Sequence, residues 1–84
     1  MANVTLQFCW FDSMWYFVLE KSKFESAKRL NLIDQEDLNR INNIVNQLEK
    51  IIEDGQFNSD KYVSFIALLV QFQFEVQRAC KKKE

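Results

Sequence analysis

Histidine and proline are absent from this sequence, glycine occurs once and cysteine twice. Each shortage closes something off. Without histidine the chain lacks the commonest general base and the commonest metal-binding side chain. A single glycine cannot build a phosphate-cradling loop, which needs several residues free of a Cβ. So little glycine and proline is too sparse a punctuation for a β-rich fold of many tight turns, and it favours helices joined by short connections. Cys9 and Cys80 have no metal-type spacing. A disulfide between two such distant cysteines is open, but their apolar neighbours favour reduced, buried thiols in a cytosolic protein. Long apolar runs are missing too: Phe65 to Val70 falls far short of the roughly 20 residues of a membrane span. The N-terminal stretch lacks the basic region of a signal peptide, and Asp12 interrupts its apolar part.

What is present is aromatic and segregated in charge. Aromatic residues make up 14% of the 84-residue chain, enough for one domain over residues 1–84 with a thin core. The net charge is −1, with a pI near 5.4, so a small, slightly acidic protein carries no global field toward nucleic acid or membrane. Locally, residues 21–33 carry +3, residues 34–60 carry −5 and residues 61–84 carry +3. The abundance of Asn, Ile, Lys and Phe suggests an AT-rich gene, as in a phage or a low-GC bacterium.

One helix can be read from start to stop. Asp34 is suited to N-cap it with its carboxylate, Asp37 adds charge to the first turn, and Ile33 with Leu38 fits a hydrophobic staple. Leu38, Ile41, Ile44, Val45, Leu48, Ile51 and Ile52 fall within an arc of roughly 140°, and Gly55 is placed to end the helix. The opposite face carries Asn39, Asn42, Asn43 and Asn46. The segments on either side are more apolar. Met14 to Leu19 is apolar all round, and residues 58–80 carry an apolar arc of roughly 220°. The third segment opens with Asn58 as cap, bracketed by Phe57 and Tyr62.

The expectation is therefore an all-α three-helix bundle with short loops, helices at about 5–30, 34–54 and 58–80. The alternative is α+β, with short strands near 4–10 and 70–76, where apolar and polar residues alternate. The outer segments offer more apolar surface than the middle helix can hide, which points to a dimer or another protein partner. Trp10, Phe11, Trp15, Tyr16, Phe72, Gln73 and Phe74 are the expected interface residues, with Gln73 pairing across it.

No enzymatic, metal, cofactor or small-molecule site is expected. Acidic neighbours such as Glu36 with Asp37, or Glu53 with Asp54, point to different helix faces and read as solvating charge. The leading function is a non-enzymatic protein–protein interaction module: an adaptor, a chaperone-like subunit, or an antitoxin, immunity or phage-type inhibitor. The rival is a small nucleic-acid-binding regulator using Lys21, Lys23, Lys28, Arg29, Arg78, Lys81, Lys82 and Lys83, disfavoured by the low net charge and the lack of a recognisable motif. Membrane-surface binding lacks the interleaved basic residues it usually needs.

Overall fold

The computed structural model describes the backbone of residues 2–82 and the side chains of residues 6–81. Three helices follow one another: α1 (Ala2–Arg29), α2 (Gln35–Asp54) and α3 (Ser59–Lys82). No strand occurs among the described residues, and segments 4–10 and 70–76 are helix interiors. The α+β alternative is therefore discarded, and burial shows why. Val70 and Phe74 are exposed while Phe72 and Val76 are buried, whereas a strand would put all four on one face. α1 starts earlier than expected and α3 runs two residues further, to Lys82.

Caps fix the two connections. Asn31 takes the left-handed conformation (φ 57°). There the Leu32 N–H donates to the Ala27 carbonyl at 3.0 Å and the Asn31 N–H to the Lys28 carbonyl at 3.1 Å, a Schellman ending. Ile33 is then buried and Leu38 packs against the same core, in keeping with a staple. Asp34 occupies the N-cap with extended backbone, and its carbonyl accepts the Leu38 N–H at 2.8 Å. Its carboxylate makes no cap bond, which corrects the reading of Asp34 as a side-chain cap. Gly55 (φ 73°) closes α2 with an N–H bond to the Ile52 carbonyl. Asn58 does cap α3 with its side chain: Oδ1 accepts the Lys61 N–H at 2.9 Å.

The molecule is a rod of 47 × 17 × 16 Å in which α1 and α2 both pack on α3. Each helix buries a seam with three- and four-residue spacing. On α1 the seam is Trp10, Ser13, Phe17, Glu20, Phe24 and Ala27. On α2 it is Asp37, Ile41, Ile44 and Leu48, with Val45 beside them. On α3 it is Phe65, Leu69, Phe72, Val76 and Ala79. This is the spacing of helices crossing at a shallow angle. The aromatic residues of α1 and α3 interleave. Trp10 meets Phe65 at 5.3 Å, Phe17 meets Phe65 and Phe72 at 6.0 Å each, and Phe24 meets Phe72 at 5.9 Å. The order of these contacts makes α1 and α3 parallel. α2 runs back between their ends, with Arg40 paired to Glu75 at 3.1 Å and Lys61 to Asp54 at 3.8 Å. Lys61 and Glu75 of α3 therefore flank α2, and Leu68 packs against the core on the α2 side.

Candidate functional site

α1 has a second seam. Phe8, Phe11, Trp15 and Val18 follow the same three- and four-residue spacing on the side turned away from the core, with Leu19 beside them. α3 has one as well, formed by Val63, Ala67, Val70 and Phe74. All of these are exposed, although most are residue types that proteins bury. A groove of about 350 Å³ joins the two seams, walled by Asp12, Ser13 and Tyr16 from α1 and by Ile66, Leu69, Val70 and Gln73 from α3. Trp15 and Leu19 stand three or four positions from these α1 residues, and Phe74 and Val63 stand four and seven from Val70, so the surface is continuous.

Its size decides how it should be read. Phe8, Trp15, Leu19, Val63, Val70 and Phe74 are 45–68% exposed. With side chains presenting very roughly 150–250 Å², that is on the order of 700 Å² of apolar surface. Phe11 lines a separate groove with Gln7, Met14 and Phe57 on the other flank of α1, and Val18, seven residues on, shares that flank. The largest patch on a typical monomer is about 300–600 Å². One side of a standard protein interface is about 800 Å². The opposite side of the rod is polar: Asn39, Asn42, Asn43 and Asn46 of α2 are all exposed.

The seven expected interface residues divide. Phe11 is exposed in the groove on the other flank of α1, while Trp15, Tyr16 and Phe74 lie on this face. Trp10 and Phe72 do not: they are 2% and 0% exposed and belong to the core. Trp10 is held edge-on by Phe57 at 5.1 Å and Tyr62 at 5.4 Å, and Phe72 is locked between Phe17 and Phe24. Among the described residues the Trp10 indole N–H meets no hydrogen-bond partner, and its ring contacts are worth about 0.5–1.5 kcal/mol each. Gln73 needs no second chain to satisfy its amide, since Nε2 donates to the Tyr16 hydroxyl oxygen at 2.8 Å across the groove. Gln73, expected to pair across an interface, thus has a partner within its own chain. Phe8, Leu19, Val63 and Val70 belong to the face as well, beyond the residues expected from the sequence. The signal that would have found them is the second three- and four-residue series on each helix.

The basic cluster is broken up by acids. Lys21 pairs with Glu49 at 2.7 Å, Lys23 with Glu20 at 3.3 Å, Lys28 with Glu25 at 3.4 Å and Arg78 with Glu75 at 2.8 Å. Lys21 and Lys28 also stand over the Phe17 and Phe24 rings, so their stems cover the core. Arg29 and Lys81 are exposed near the same end of the rod. The side chains of Lys82 and Lys83 lie outside the described residues.

Among the described residues, no group of three His, Cys, Asp or Glu is placed to hold a metal ion. Cys9 and Cys80 are unpaired. Cys9 adjoins Trp10, whose ring meets Phe65, and Cys80 lies 15 residues further along α3, roughly 22 Å away. That is far beyond the reach of a disulfide. No helix of the described residues is long and apolar enough to cross a membrane. Compared with protein-family models, with curated proteins and with solved structures, the chain matches none.

Proposed function

We propose that this chain is a non-enzymatic protein-docking module. It acts by burying the α1/α3 face against another protein chain, as an adaptor, a chaperone-like subunit or an inhibitor of the antitoxin, immunity or phage type does. The observation that carries the reading is the size and continuity of that face. It exceeds what a monomer leaves bare, and it is built from Trp and Phe side chains of the kind that anchor interfaces. Binding would work by shape, through occlusion or bridging, and requires no chemistry at the site. The unpaired thiols fit a reducing, cytoplasmic setting. The net charge of −1 and the lack of a recognisable binding motif argue against a nucleic-acid regulator.

The test is a photo-crosslinking amino acid placed at position 15 of the full chain in its native cells, with position 46 on the α2 Asn face as control. Position 15 should trap a protein chain and position 46 should not. If position 15 traps none, or both positions trap alike, the docking reading is lost.

A further inference from the structure

We infer that the occupant of the α1/α3 face is a second copy of this chain, reversed about a two-fold axis that crosses α1 near Phe17. This rests on the docking reading above and names its partner. Three observations point to it. The first is area: on the order of 700 Å² of apolar surface per chain approaches the roughly 800 Å² that each partner gives to a standard two-body interface. The second is shape. The face pairs a raised seam (Trp15, Leu19) with a groove beside it, about 350 Å³ in volume. A two-fold axis places the same patch on both copies, so each must offer both knob and hole. The third is charge. Asp12, Tyr16, Leu19 and Lys23 lie on one stripe of α1 at spacings of four, three and four. That series is symmetric about its midpoint except in sign.

Reversing one copy on the other sets Asp12 opposite Lys23 and Tyr16 opposite Leu19, twice over. An axis running along the helices would instead set Asp12 against Asp12 and align the helix dipoles, both unfavourable. Lys23 contacts Glu20 at 3.3 Å, yet its side chain is 71% exposed, so its ammonium group can serve a partner.

The experiment is light scattering and sedimentation equilibrium on the purified full chain at about 10–200 µM, with circular dichroism as a folding control. The expected mass is twice the 10.1 kDa of one chain. Trp15→Asp and Phe74→Asp should each weaken association by about 30-fold or more, as for an interface anchor, while the helical spectrum persists. Asn46→Asp should leave it unchanged. Asp12→Lys should loosen the dimer about three- to fivefold at low salt, and adding Lys23→Asp should restore it. A dimer indifferent to both face variants overturns the inference, and a charge swap without rescue overturns the reversed register. A chain that stays monomeric overturns self-pairing. The docking reading then survives if position 15 crosslinks a foreign chain, and falls as well if it crosslinks none.

Discussion

Glu20 is the residue whose position least suits its chemistry. It occupies the buried seam of α1 between Phe17 and Phe24, 5% exposed, with Lys23 at 3.3 Å as its ion-pair partner. A carboxylate loses much of its hydration there, and one partner on a mostly exposed lysine does not restore it. Glu20→Leu is therefore expected to stabilise the fold by about 1–2 kcal/mol, which raises the melting temperature by roughly 4–15 °C in a domain this small. A thermal melt followed by circular dichroism checks it, and a fall in melting temperature would mean that the carboxylate stabilises the core. Phe72 and Phe74 make a second comparison, two positions apart and opposite in environment, 0% and 61% exposed. Phe72→Ala removes a ring held by Phe17 and Phe24 and should cost about 3–5 kcal/mol. Phe74→Ala should cost less than about 0.5 kcal/mol in the isolated monomer. Urea unfolding of both variants, at a concentration low enough to hold the chain monomeric, measures the difference; equal losses would contradict the burial pattern.

At the scale of elements, the helix ends are where single backbone angles matter. Gly55 ends α2 at φ 73°, and a Cβ built there would meet nothing closer than the Glu53 carbonyl oxygen at 4.0 Å. Gly55→Ala is thus a nearly pure test of left-handed strain, with an expected loss of about 1 kcal/mol. Asn31 holds the matching position after α1 at φ 57°, so Asn31→Gly should be neutral or stabilising by up to about 1 kcal/mol. Chemical denaturation of the two variants should give these signs; a shared sign would show that something other than backbone conformation dominates. The middle helix was readable from the letters because its apolar stripe, its staple and its Gly55 stop all agree. α1 was harder, because two seams compete on it. Phe8, Phe11, Trp15 and Val18 look more like a core than Trp10, Ser13, Phe17 and Glu20 do. The second series wins because it continues through Phe24 and Ala27, giving α3 an apolar partner along its length, whereas the first gives way to Ser22 and Glu25. The seven-residue spacing of Trp10, Phe17 and Phe24, echoed by Phe65, Phe72 and Ala79, carried that information. An average around the helical wheel hides it, so Trp10 and Phe72 look like interface residues in the sequence.

The whole molecule is a two-sided rod. Its α2 side presents amides and charge, and its α1/α3 side presents an apolar face built on the same helical spacing as the core. The rod is complete without a partner, since its three inner seams already enclose the core, so folding and association are separable. That separation can be measured. If the face is buried between two copies, the melting temperature depends on concentration, because mass action favours the species that hides the face. Above the dissociation constant each tenfold rise in concentration adds about 1.4 kcal/mol per dimer, or roughly 3–5 °C for two chains of this length. The wild-type melt should therefore climb steadily between about 5 and 500 µM, and the Trp15→Asp melt should stay flat across the same range. At the lowest concentration the two curves should converge, because Trp15 stabilises nothing within its own chain. A flat wild-type curve would show that folding is not coupled to self-association. Convergence failing at low concentration would show instead that Trp15 contributes to the monomer, contrary to its 66% exposure.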